Sequence, residues 1–377
     1  MNTTRAQTNL ARLLAGLVTV CALLAAVQFS TRACASEPST ASQQLNIKVG
    51  DRLAAAILHN TPDVYLSGVI DSDAPARFMA MMKSGQIPVG SNIYLNSPGG
   101  SLAAGLALGR LFRSGGMTTT IGRPPFVSDS NPKSSGENVI CASACAYAYL
   151  GGMWRWAPTV GAPFGVHQFY LPEATTANVG EIEAASGTVV AYLHAMGINP
   201  DVFTLASTAA PDHVVWLDGS EMLQLGLANN GVKPIDAEYK LLAGIPYLLL
   251  DQQSRDGEHK IVMLCVPADV SLQAIYIVGH DRATQIVGRG IRSYFSVDGK
   301  QSLPADPGSL HVVNGAVEFD TNVPKSFLGR LTGSRSIGAW VDDQNGRFRT
   351  GFFMELGPVR SKIQNYYENC AGSTTSN

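Results

Sequence analysis

IYLNSPGGSLAAGLALG, residues 93–109, is the stretch that decides the fold. Ile93, Tyr94 and Leu95 make a short β-like run, Pro98-Gly99-Gly100 breaks it, and small and apolar residues then follow at helical spacing as far as the Gly115-Gly116 stop. Two adjacent glycines let a chain turn so tightly that backbone N–H groups point into a cavity, which suits the stabilisation of an oxyanion. Taken alone, the stretch is a strand–turn–helix and nothing more.

Two further stretches carry side-chain chemistry. CASACAYAYLGG, residues 141–152, sets Ser143 at a strand-to-helix junction with only Ala and Cys as neighbours. A nucleophilic serine needs such a sharp, uncrowded turn, although a lone small serine is more often there for packing. GVHQF, residues 165–169, places His167 at the end of an extended segment, 24 residues after Ser143. A single histidine in an apolar strand is commonly a packed core residue.

Around these, strands alternate with helices. VYLSGVI (64–70) is β-like and closes on Asp71 and Asp73, which can cap the helix APARFMAMMKSG (74–85). MTTTIG (117–122) is a strand, and 123–138 is a Pro/Ser/Gly loop. GEIEAASGTVVAYLHAMG (180–197) is an amphipathic helix, and SEMLQLGLANN (220–230) a short one closed by Gly226. This alternation predicts repeated β-α units around a mainly parallel sheet. After about residue 235 the texture changes. HKIVMLCVPA, SLQAIYIVGH, GRGIRSYFSVDG, SLHVVNGAVEFD and SIGAWVDD are short strands between turn residues, and PVRSKIQNYYENC is a closing helix. The expected fold class is therefore α/β followed by a smaller, mainly β C-terminal domain.

Residues 1–35 carry Arg5 and Arg12, an apolar run and Ala33-Cys34-Ala35, the pattern of a cleavable signal peptide; a retained N-terminal anchor is the alternative. The expected organisation is signal peptide 1–35, leader 36–60, α/β domain 61–235 and β-rich domain 236–377, in a periplasmic or secreted protein with no membrane span after cleavage. Of 27 basic and 29 acidic side chains, three arginines lie in the signal, so the remainder is net acidic. With no basic run, a nucleic-acid partner is not expected. Four cysteines remain after cleavage. Cys265 and Cys370, near the two ends of the C-terminal segment, are the pairing that respects domain organisation. Cys141 and Cys145 either bridge locally or stay as buried thiols, since positions four apart on a regular helix suit a disulfide poorly. No CxxC or HExxH spacing supports a metal among Cys141, Cys145, His167 and His213.

In order and spacing, NSPGGS, the CASACA serine and the His167-Gln168 pair resemble the Clp-type serine protease family (ClpP-like), within the crotonase-like superfamily. The resemblance spans about residues 62–232. It implies a ClpP/crotonase-like domain acting on peptide or protein substrates without a cofactor. It implies Ser143 as nucleophile, His167 as base, and backbone N–H groups of Gly99 or Gly100 and of Ala144 as the oxyanion hole. The acid belongs within APDHVVWLDGSEMLQLGL (210–227). Asp212 precedes the apolar VVWL run as the family acid does, while counting back from Gly226 lands nearer Val214, and Asp218 and His213 stay open. Lys83 and Lys133 fall in no obvious base position for a Ser–Lys variant. The helix 180–197 corresponds to the family's subunit-contact helix, so a homo-oligomer is possible, though burial on its own core serves equally. The 123–138 insertion, the flanking cysteines and the compressed histidine-to-acid stretch depart from the family. They leave room for a competing reading, a non-catalytic scaffold or binding module of the cell envelope.

Overall fold

The computed structural model describes residues 44–51, 55, 61–125, 139–158, 163–167, 179–202, 204 and 213–372. The segment read as a signal peptide and most of the 123–138 loop lie outside these. Up to residue 230 the chain runs β1 (Asn46–Val49), β2 (Asp63–Ser67), α1 (Ala74–Lys83), β3 (Asn92–Asn96), α2 (Leu102–Ser114), β4 (Thr118–Ile121), β5 (Cys141–Ala142), α3 (Ala144–Leu150), β6 (Trp154–Trp156), β7 (Phe164–Val166), α4 (Val179–Ala195), β8 (Val215–Leu217) and α5 (Gly219–Gln224). Strands β1-β2-β3-β4-β6 form one sheet, parallel from β2 to β6 with β1 antiparallel on its edge. Thus part of the 36–60 stretch is not a bare leader but an edge strand. A second sheet, β5-β7-β8, joins β5 and β7 in parallel and β8 antiparallel.

Val64, Tyr65 and Leu66 are all buried, as a parallel strand covered on both faces requires. Phe78 of α1 meets Phe112 of α2 edge to face at 5.1 Å, bringing the two helices together. Asp73 occupies the N-cap position of α1 without a side-chain cap bond. Asp71 instead receives Arg77 at 2.8 and 2.9 Å and the Leu45 N–H at 2.8 Å, tying β1 to α1. That guanidinium holds the Asp71 carboxyl well below the usual carboxylate range. Val189, Tyr192 and Leu193 of α4 are buried in the same core, and the Tyr192 hydroxyl donates to the Tyr147 carbonyl of α3 at 2.6 Å.

From residue 236 the chain is mostly β: β9 (Asp236–Leu242), β10 (Ile245–Ser254), β11 (Gly257–Cys265), β12 (Asp269–Ile277), α6 (His280–Arg289), β13 (Arg292–Val297), β14 (Lys300–Pro304), β15 (His311–Val313), β16 (Ala316–Pro324), α7 (Ser326–Gly333), β17 (Ser336–Asp342), β18 (Arg349–Glu355) and α8 (Arg360–Gly372). These strands form two antiparallel sheets, β15-β16-β12-β11-β10-β9 and β14-β13-β17-β18. On β12, Val270, Leu272, Ala274 and Tyr276 alternate inward, the period-2 pattern of a sheet with one covered face. Buried apolar side chains gather into two clusters, one from Leu45 to Ala228 and one from Ile235 to Cys370. Among the described residues no helix is long and apolar enough to cross a membrane.

The second core contains a histidine. His259 stacks on Phe352 at 4.5 Å, meets Tyr276 edge-on at 5.1 Å, and its Nε2 lies 3.2 Å from Ser254 Oγ. Burial pushes its pKa down to about 4, outweighing the opposite pull of Asp256. The fold thus holds the neutral imidazole, while the unfolded chain takes up a proton near the ordinary value of about 6.5. The stabilisation is full above about pH 6.5 and is lost as pH falls toward 4, an expected loss of up to about 3 kcal/mol. Thermal melts between those pH values will show it. In His259→Phe, which keeps the stack, the part of the pH slope owed to this residue will be gone.

Candidate active site

Three segments are stitched together where β5 ends. The Ile70 N–H donates to the Gly99 carbonyl (2.7 Å) and the Ser101 N–H to the Ile70 carbonyl (2.8 Å). The Ser97 N–H donates to the Ile140 carbonyl (2.8 Å) and the Ala142 N–H to the Ser97 carbonyl (3.1 Å). The NSPGGS turn is thereby laid as a parallel neighbour along the strand that delivers Ser143. The turn requires glycine: Gly99 has φ 106° and Gly100 φ 139°. A Cβ at Gly99 would stand 2.7 Å from both the Ala142 carbonyl oxygen and Ser143 Cβ, and one at Gly100 would stand 2.3 Å from the Ile70 oxygen.

Ser143 itself has φ 57° and ψ −124°. A left-handed conformation in a residue with a Cβ costs on the order of 1–3 kcal/mol and persists only where its surroundings impose it. Here the Ser143 N–H donates to the Gly165 carbonyl (3.1 Å), α3 begins at the next residue, and the Cys141–Cys145 disulfide closes over the turn. The helical objection to that bridge does not apply, because Cys141 lies on β5 and only Cys145 on α3. The turn between them brings their Cα atoms to 5.2 Å. Joined to each other, neither sulfur is a thiolate ligand for a metal. The small neighbours have a further use. Helix α2 passes so close that a Cβ at Gly105 would lie 2.4 Å from the Ala144 carbonyl oxygen.

Register fixes the histidine. Cys141 pairs with Phe164 and Ala142 with Gly165, so Ser143 and His167 leave adjacent parallel strands at the same C-terminal edge. His167 is half-buried there. Open α/β sheets place their chemistry at this edge. On the other side Phe164 pairs with Leu217 and Val166 with Val215. Extending the ladder by one residue sets Val214 opposite His167. Asp212, the sequence choice for the acid, lies outside the described residues, and His213 is exposed. Asp218 is at the wrong end. Opposite Pro163, it is four residues, roughly 13 Å, from His167 along the strand. Its carboxylate accepts the Glu221 N–H (2.9 Å) in a capping box that starts α5.

The two glycine N–H groups are not equivalent. That of Gly99 donates to Ser97 Oγ at 3.1 Å. Among the described residues the N–H groups of Gly100 and of Ala144 meet no acceptor. Sequence reasoning missed Ser97, which is fully buried; its signal was a serine two residues before a glycine, where a hydroxyl commonly bonds forward to the backbone. Gly99→Ala is expected to destabilise the chain by about 1–3 kcal/mol and to displace Ser143. Urea unfolding checks the first effect, and chemical labelling of the serine checks the second.

No family model matches the sequence, and no curated protein matches it. Among solved structures, part of the chain is similar to the 1510-N membrane-bound stomatin-specific protease, at 18% identity over 44% of this chain and 75% of that one, with a TM-score of 0.29. Part is also similar to ClpP1 from Listeria monocytogenes, at 16% identity over 47% of this chain and 94% of that one, with a TM-score of 0.32. Both of those proteins were solved as mutants.

Proposed function

We propose that the chain is an exported serine hydrolase, most simply a peptidase. The observation that supports this best is the left-handed Ser143 turn packed against Gly99 at the edge where His167 emerges. In this reading Ser143 Oγ attacks a peptide carbonyl while His167 takes its proton and later returns it to the leaving amine. The developing oxyanion lies between the Gly100 and Ala144 N–H groups, and each such donor contributes roughly 3 kcal/mol to transition-state stabilisation. Asp212 holds the imidazole tautomer from the chain preceding β8. Gly99 serves the turn rather than the oxyanion, since its N–H is spent on Ser97.

Export accords with two disulfides, Cys141–Cys145 and Cys265–Cys370, which belong to an oxidising compartment. The signal peptide 1–35 and the division at about residue 235 belong to the same proposal, as does self-association through the exposed side of α4. To test it, purified protein is incubated with a mixture of denatured proteins and the new chain termini are read by mass spectrometry. Termini made by the wild type and absent with Ser143→Ala are expected. Identical termini from both, or none from a folded wild type, would move the reading to a non-catalytic envelope scaffold.

A further inference from the structure

A cavity of about 710 Å³ lies in the C-terminal region on the outer face of β13-β17-β18, away from the residues of the candidate active site. Its volume is that of a pocket for a small ligand or short peptide. Cross-strand register builds the floor: Ser296, Gly338 and Phe353 stand in one row, and Tyr294, Trp340 and Gly351 in the next. With no side chain at Gly338, the Trp340 indole lies over the sheet. A Cβ there would be 2.6 Å from Nε1. Trp340 Nε1 donates to Ser296 Oγ at 2.9 Å, and the Arg349 guanidinium rests 3.9 Å from the indole centroid. A guanidinium placed over a ring keeps N–H groups available to a ligand.

Two more guanidinium groups, of Arg335 and Arg360, line the same cavity. Arg360 donates to the carbonyls of Thr332 and Ser334. Among the described residues none of the three arginines forms an ion pair. Asp298 faces the cavity too, but its Oδ1 is taken by the backbone N–H groups of Arg335 (2.7 Å) and Ser336 (3.0 Å). Arg335 interacts electrostatically with Asp298, which leaves Arg349 and Arg360 to attract an anion into the concave surface, and a planar fork matches a carboxylate. Asp298 and Glu355 in the lining oppose a polyanion or a dianionic phosphate, so a single carboxylate fits best. Phe353, 57% exposed, and the Trp340 ring provide an apolar wall beside it. β18 is the edge of its sheet, pairing with β17 alone, and its outer backbone can receive an extended chain.

We propose that this cavity binds the free C-terminal carboxylate of an extended peptide, gripped by Arg349 with its last apolar side chain against Trp340 and Phe353. The inference goes beyond the proposed chemistry and does not depend on it. Binding is measured by calorimetry on the full chain carrying Ser143→Ala, so that no probe is cut. The probes are acetyl-Ala-Ala-Phe with a free carboxylate and the same peptide as its C-terminal amide. The acid is expected to bind about tenfold or more tightly than the amide, and Arg349→Ala to weaken the acid by a similar factor without changing the amide. Equal binding of acid and amide overturns the proposal, as does no heat at about 1 mM peptide, a value set by the weakest affinity worth assigning. Displacement of the peptide by equimolar inorganic phosphate would overturn the carboxylate assignment. The acid–amide comparison uses unaltered cavity residues, so it decides even if the arginine variant folds poorly.

Discussion

Replacing His167 with alanine will lower kcat/KM for a fluorogenic peptide by about 10⁴-fold and leave the thermal midpoint nearly unchanged. The stability half follows from position. His167 sits just past the end of β7 and is half-buried, whereas the strand's core residues are Phe164 and Val166. The activity half follows from the proposed roles, since an unassisted serine hydroxyl is a weak nucleophile at neutral pH. Ser143→Ala will cost a similar factor. The double variant is the sharper experiment. If hydroxyl and imidazole act as one unit, removing the second after the first changes little, and the double variant will retain about the activity of either single one. Losses that multiply would mean that the two residues act independently, and the shared mechanism would fall.

Cys265→Ala with Cys370→Ala will destabilise the C-terminal region by about 2–5 kcal/mol, read as a lowered urea midpoint. The bridge spans 105 residues, so in the chain-entropy account it restrains a long loop of the unfolded chain. It also sits in a set of contacts that would loosen with it. The Cys265 N–H donates to the Tyr366 hydroxyl (2.9 Å), and that hydroxyl donates to the Met263 carbonyl (2.7 Å). Lys325 Nζ reaches the Cys370 carbonyl at 3.2 Å. Together these fasten α8 to β11 and to the start of α7. Removing Cys141–Cys145 will act differently. Its loop is four residues in separation, and the logarithmic dependence on loop length makes its entropic share smaller, about 2 kcal/mol. Its larger effect is expected on the Ser143 turn that it spans.

The α/β half was legible because its signals are local. Pro98-Gly99-Gly100 between an apolar run and a helical one admits few backbones, and CASACA has no large side chain to block a sharp turn. What stayed hidden depended on partners distant in sequence. The positive φ of Ser143 is imposed by Gly165 and by the disulfide, and the spacing of Cys141 and Cys145 carries no trace of it. The choice among acids needed the β7–β8 register, which alone sends Asp218 to the far end. Helix α6 was missed because it begins after Gly279 with no side-chain cap, and only Ala283 and Ile286 on it are buried. Helix α7 was missed because Gly329 and Gly333 fall within eight residues, a composition that argues for a turn. Asp73 had the residue type and position of a cap, yet Asp71 took the stronger offer from Arg77. The arginine-lined cavity has no sequence signature, since its walls come from β13, β17, β18 and the start of α8.

The measurement that bears most directly on the central claim is labelling with a fluorophosphonate probe, followed by peptide mapping. One label per chain is expected on Ser143, lost in Ser143→Ala and strongly slowed in His167→Ala. A folded protein with both disulfides intact that takes no label, or takes it on another serine, would contradict that claim.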